Sequence, residues 1–171
     1  MARYRIVPPR SRVVIDATSS LHPIHSETDG LRGWLELAVD HDGGLEVGGD
    51  RRAHLELPVD HLRGGNPLEE RELHRRIDAR RFPTITGDLD TMEPTGREGR
   101  YRVGGDVTFR GVTRRREGEV AMSVEEGDAL RLRGSSVFDI REFGMEPPRI
   151  LMLRVAPDVT VHVDVLAERE G

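Results

Sequence analysis

The chain contains no cysteine and no lysine, and only 4% of its 171 residues are aromatic. Without cysteine there is no disulfide, no thiolate nucleophile and no sulfur-ligated metal. One tryptophan, Trp34, two tyrosines and four phenylalanines are too few for a flat platform on which bases or sugars stack. All 26 basic residues are arginine, which together with the abundant Gly, Asp and Glu reads as a coding bias towards GC rather than a functional signal. The balance is acidic, with a net charge of −5, so a nucleic-acid partner is not expected. The basic run Arg114-Arg115-Arg116 reads as a solvated strand edge or hairpin end. No stretch approaches the roughly 20 apolar residues of a spanning helix, and residues 1–16 lack the apolar centre of a secretory signal. The expectation is a cytoplasmic chain with no transmembrane segment, forming a single domain over residues 1–171.

What the sequence does contain is alternation of period two. Val13, Ile15 and Ala17 fall on one face of a run, and Leu35, Leu37 and Val39 on one face of another, opposite Glu36 and Asp40. The pattern returns with Leu55, Leu57 and Val59 against His54, Glu56 and Asp60, and with Val107 and Phe109 against Thr108 and Arg110. It continues through Val120, Met122 and Val124, through Leu130, Leu132, Phe138 and Ile140, and through Val159, Val161, Val163 and Val165. Such rows mark half-buried antiparallel strands. Turn-rich stretches at residues 40–44, 93–99 and 125–129 separate them as hairpin loops. Many short strands at regular spacing predict an all-β sandwich or barrel.

One segment departs from this pattern. In residues 66–82 Asn66 is placed to cap a helix, Pro67 suits its first turn, and Glu69 and Glu70 suit its positive end. Leu73 and Ile77 share a face and Pro83 follows. A short helix is predicted from about Pro67 to Arg80, inserted mid-chain between strands. Glu70 and His74 then form a solvated i, i+4 pair.

His22 and His25 stand around Pro23 in the stretch from Ser19 to Gly30, with Ser26, Glu27, Thr28 and Asp29 beside them. The turn residues predict a polar loop here. The spacing supplies at most two of the three or four ligands that a metal usually needs. A neutral imidazole also donates well to a carbonyl or quinone oxygen. His54 and His162 read as surface strand residues, and Asp139, Arg141 and Glu142 as a structural ion-pair group at a strand end. Gly104 and Gly105 lack the Gly-Lys-Ser/Thr ending of a phosphate loop and read as a bulge or a close strand packing.

Four stretches carry a family resemblance. Asp78 to Leu89, Tyr101 to Arg114 (with Gly105-Asp106-Val107-Thr108-Phe109-Arg110-Gly111-Val112-Thr113), Phe138 to Met145, and the closing run from Asp158 resemble, in order and spacing, the YceI-like lipid-binding family. Arg10 and Ser11 stand where members often carry a His-Ser pair. The resemblance implies an antiparallel lipocalin-like β-barrel of about eight strands. Its apolar interior would hold the long chain of an isoprenoid quinone or polyisoprenoid, for binding, storage or transport. The lining implied is Val13, Ile15, Leu35, Leu37, Leu55, Leu57, Ile85, Val107, Phe109, Met122, Phe138, Ile140 and Phe143, with His22, His25 and Arg141 towards the polar head. It implies no catalytic residue, no metal and no required cofactor, and a hydrophobic lipid as the partner. Burial of such a chain gains about 0.8 kcal/mol per CH₂.

Two other readings stay open from the residues alone. One is a metal-dependent enzyme using His22, His25 and a carboxylate. The other is a barrel with a solid core, since small barrels fill with side chains, acting as an interaction or stress-response module. Homodimer formation through an exposed strand edge is compatible with each.

Overall fold

The alternating rows become twelve β-strands in the computed structural model, which describes residues 2–21, 23–40, 44, 46, 51–64, 67–147, 149–150 and 153–171. They are β1 (Ala2–Ile6), β2 (Arg12–Ser19), β3 (Pro23–Thr28), β4 (Arg32–Leu37), β5 (Arg52–Pro58), β6 (Arg63–Gly64), β7 (Thr84–Pro94), β8 (Arg100–Phe109), β9 (Val112–Val124), β10 (Leu130–Asp139), β11 (Arg149–Ile150) and β12 (Leu153–Arg169). One helix, α1 (Pro67–Ile77), is inserted between β6 and β7. It ends at Asp78, whose φ of 59° breaks the helical path.

Eight strands close into an antiparallel barrel in the order β1-β4-β5-β7-β8-β9-β10-β12, with β12 pairing back onto β1. β12 is 17 residues long and outruns β1. Its first half takes a second partner, β2, and from there β3 and β6 extend the sheet. β1 and β2 are two arms of one bent path. The bend is a 3₁₀ turn at Pro8–Arg10, and Ser11 secures it. The Ser11 hydroxyl donates to the Val7 carbonyl (2.9 Å) and accepts the Leu166 N–H (3.0 Å), fully buried between the arms. Near the start of β4, Gly33 lets that strand approach β5 closely: any Cβ there would strike the His54 carbonyl oxygen.

The segment from Ser19 to Gly30 therefore contains all of β3, paired with β2, in place of the predicted loop. β3 puts Ile24, Ser26 and Thr28 on its inner row, only one of them apolar. Pro23 opens the strand, a position a proline tolerates. Gly104 and Gly105 lie opposite a bulge in β7 between Leu89 and Thr91, and a Cβ on Gly105 would meet the Asp88 carbonyl oxygen.

The interior has two halves. At one end, Tyr4, Leu35, Leu37, Met92, Tyr101, Met122 and Leu130 pack solidly, each 7% exposed or less. At the other end the ring loosens. β9 and β10 pair only as far as Glu119↔Ser135, and β5 loses its partnership with β4 beyond Arg32↔Glu56. The helix and another 3₁₀ turn, Ile140–Phe143, pack at this end. Among the described residues, no helix is long and apolar enough to cross a membrane.

Candidate functional site

The loosened end holds a cavity of about 220 Å³ that is partly open to the outside. Its wall is built from the inner rows of the strands. β2 and β3 supply Ile15, Ala17, Ile24 and Ser26, and β12 supplies Val155, Val159 and Val161. β5, β7 and β8 supply Leu57, Ile85, Val107 and Phe109. These residues meet because the register sets them side by side: Phe138 opposite Val159, Val159 opposite Ala17, Ala17 opposite Ile24. Non-strand elements finish the wall. Leu73 and Ile77 project from one face of α1, Leu62 precedes β6, and Ile140, Phe143 and Met145 follow β10.

Three phenylalanines form one side. The rings of Phe109 and Phe143 meet edge to face with centroids 5.8 Å apart, and Phe138 lies 6.5 Å from Phe143. The Arg116 guanidinium lies 5.9 and 5.8 Å from the centres of Phe138 and Phe143 and pairs with Glu142. Arg116 comes from the inner row of β9, where β9 has parted from β10, so it plugs that seam. The Arg110 guanidinium donates to the Gly144 carbonyl and ties the β8–β9 hairpin to the 3₁₀ turn.

Among the described residues the polar lining is Ser26, Glu69 and Glu70, with the Gly64 backbone beside them. Glu69 and Glu70 precede Leu73 by one turn and Ile77 by two on the same helical face. A Glu70 Oε1 accepts the Gly64 N–H at 2.7 Å. The expected Glu70–His74 surface pair is replaced by this contact, while His74 Nε2 approaches the Leu62 carbonyl at 3.3 Å. The sequence signal for Glu70 is its helical spacing from Leu73 and Ile77, masked by its suitability for the helix start.

The expected lining residues divide between the two halves. Ile15, Leu57, Ile85, Val107, Phe109, Phe138, Ile140 and Phe143 surround the cavity. Val13, Leu35, Leu37 and Met122 are buried in the solid core, and Leu55 packs against it. Those five stand outside the cavity lining, because the inward rows continue past the hollow into the packed end. Ala17, Ile24, Leu62, Leu73, Ile77, Met145, Val155, Val159 and Val161 line the cavity in addition to the expected set.

The described residues expected towards the polar head lie away from the cavity. His25 lies on the outer row of β3, half exposed, with its Nδ1 2.8 Å from Asp16 and its Nε2 3.2 Å from Glu27. These carboxylates, Asp16 first, hold its pKa above the ordinary 6.5. Asp16 also meets His162 Nε2 at 3.1 Å, so the two histidines share one carboxylate on the outside of the sheet. Arg141 is exposed and folds back on Asp139 (2.7 Å), two residues away, outside the cavity lining. His22 lies outside the described residues. Among the described residues no three His, Asp or Glu side chains are grouped to hold a metal ion.

Comparison with known proteins places this geometry. A family model described as YceI-like domain matches residues 4–167. No curated protein sequence matches the chain. Solved structures share its fold at low sequence identity. One is BcnA of Burkholderia cenocepacia, with a TM-score of 0.78 and 15% identity over 94% of this chain and 98% of that one. Another is a polyisoprenoid binding domain of Saccharophagus degradans implicated in plant cell wall breakdown, with a TM-score of 0.78 and 10% identity over 99% and 100%. A third is the Campylobacter jejuni YceI protein, with a TM-score of 0.61 and 11% identity over 80% of each chain.

Proposed function

This chain belongs to the YceI-like family, and on that premise we propose that it binds an apolar lipid, holding an isoprenoid chain in the hollow end of its barrel. The observation that carries the reading is the cavity itself. It is larger than the roughly 150 Å³ void that takes up benzene in an otherwise packed protein, and nearly all of its lining is aliphatic or phenylalanine. A void of this kind is costly to keep empty, because its lining atoms forgo dispersion contacts on one side. An apolar chain restores them and is removed from water at the same time.

The shape suits a chain better than a compact ring system. Along β12 the lining runs from Val155 to Val161, a distance of up to about 20 Å at 3.3 Å per residue. An isoprenoid quinone or a polyisoprenoid meets this requirement, and the similarity to a polyisoprenoid binding domain supports the choice. The role is storage or transport, with the protein acting as a binder and the lipid leaving unchanged.

The test is extraction of the purified protein followed by lipid mass spectrometry, with added isoprenoid quinones titrated into lipid-free protein. Co-purifying isoprenoid or saturable quinone binding is expected. Protein that is consistently empty and takes up neither quinones nor polyprenols would refute the reading.

A further inference from the structure

Two buried polar atoms among the described residues lack a hydrogen-bond partner, and both are guanidinium Nε atoms at the phenylalanine side of the cavity: those of Arg110 and Arg116. We infer that the bound chain ends in an anionic head, a phosphate or a carboxylate, held beside the β8–β9 hairpin by Arg110, Arg114 and Arg116. This rests on the reading that the cavity takes an apolar chain, and it names the end that chain carries.

Each of the three arginines adjoins a lining residue. Arg110 follows Phe109 in the chain, and Arg116 lies against Phe138 and Phe143. Arg114 stands opposite Val107 in the register, on the inner row of β9, two residues before Arg116. The carboxylates beside them do not balance this charge. Glu142 pairs with Arg116, and Asp139 is taken by Arg141. Arg110 and Arg114 meet carbonyl oxygens, those of Gly144 and Thr113, and among the described residues neither pairs with a carboxylate. Two guanidiniums are therefore uncompensated at this rim of a chain whose net charge is −5. A buried N–H without an acceptor is uncommon in a native protein. A phosphate or carboxylate supplies several acceptor oxygens, and the guanidinium fork matches their geometry. Glu69 and Glu70, the carboxylates of the lining, stand on α1, so an anionic head is favoured on the hairpin side.

The experiment uses lipid-free protein at neutral pH and low salt, with ligands kept below their micelle concentrations. Dodecane, dodecanol, dodecylamine, dodecanoate and dodecyl phosphate each displace a fluorescent apolar probe. The two anions should bind at least ~10-fold more tightly than dodecylamine or dodecanol. In Arg114→Gln that preference should shrink by at least ~3-fold, with dodecane unaffected. Arg97→Gln removes the same charge from the β7–β8 turn, which follows Met92 at the packed end, and should leave the preference unchanged. Circular dichroism melting checks that both variants fold. If dodecylamine or dodecanol binds as tightly as the anions, or if Arg97→Gln lowers the preference as much as Arg114→Gln, the inference is overturned while apolar binding stands. If no ligand, dodecane included, displaces the probe, the cavity reading falls and takes this inference with it.

Discussion

Leu35 and Leu57 form a controlled pair for testing whether one end of the barrel is hollow. Both are inward-facing leucines on neighbouring strands, 6% and 7% exposed. Leu35 sits in the solid half, whereas Leu57 lines the cavity. Truncation to alanine removes the same atoms from each. At about 0.8 kcal/mol per buried CH₂ equivalent, the loss of transfer free energy is about 2.4 kcal/mol in both. The second contribution differs. At Leu35 the closed packing leaves a new void, and a residual volume of roughly 60 Å³ at about 24 cal/mol per Å³ adds roughly 1.5 kcal/mol. At Leu57 part of the side chain already faces empty space and has no partner atoms there to lose, so the addition is well under about 1 kcal/mol. We therefore expect Leu35→Ala to cost about 4 kcal/mol and Leu57→Ala about 2.5 kcal/mol in lipid-free protein. Urea unfolding read at the transition midpoint, with the slope shared between variants, resolves a difference of this size. Binding gives an independent readout, because Leu57→Ala should change affinity for an apolar chain and Leu35→Ala should not. Equal costs, or a larger cost at Leu57, would refute the division of the interior into a solid half and a hollow half.

Four further outcomes follow from the same structure. Ser11→Ala should cost about 1–3 kcal/mol in urea unfolding, because the buried Leu166 N–H loses its acceptor. Arg131→Met should cost more than Arg115→Met in the same assay: Arg131 is only 15% exposed and serves Glu125, Asp164 and the Arg10 carbonyl, whereas Arg115 is 47% exposed and its pair with Asp90 is screened by water. His25 and His54 each have a pKa raised above 6.5, by Asp16 then Glu27 in one case and by Asp88 then Glu56 in the other. Their contribution is therefore complete below about pH 6.5 and is lost as the pH rises through the raised values, so His25→Gln/His54→Gln should flatten the decline in stability above about pH 6.5. Finally, Ala17→Leu/Val161→Leu should fill the hollow, stabilising lipid-free protein by about 1–2 kcal/mol while weakening uptake of an apolar chain. Unchanged uptake in that variant would show that the chain lies elsewhere.

Much of the fold is legible in the sequence, for a physical reason. Strand rows such as Val159, Val161, Val163 and Val165 and the helical pair Leu73 and Ile77 repeat at the period of the element they form. β3 is illegible because its inner row is Ile24, Ser26 and Thr28, and one apolar residue makes no alternation. β6 is two residues long and carries no pattern at all. His25 is misread for the same reason as β3: once the segment is taken for a loop, nothing fixes which way the imidazole points. Placed in register beside Asp16, it faces outward. The candidate site is only half legible. Leu35 and Leu57 both stand on the inward row of a Leu-Glu-Leu run, and the difference between them arises from what stands across the barrel.

That difference is written in side-chain size more than in polarity. An eight-stranded barrel is just wide enough for side chains to fill it. At the solid end the inner rows carry long side chains: Tyr4, Leu35, Leu37, Met92, Tyr101 and Met122. At the hollow end short ones gather on β2, β3 and β12: Ala17, Ser26, Val155, Val159 and Val161. Both sets look equally inward-facing to a pattern of apolar and polar letters. Short side chains cannot span the same width, so the space stays open wherever they cluster. The loss of strand pairing at this end adds to the effect, because α1 and the Ile140–Phe143 turn must bridge gaps that a strand would have closed. The phenylalanines at 109, 138 and 143 do not fill the hollow, since they pack on one another and under Arg116 along a single side. The result is a barrel stabilised by its packed end and left open at the other.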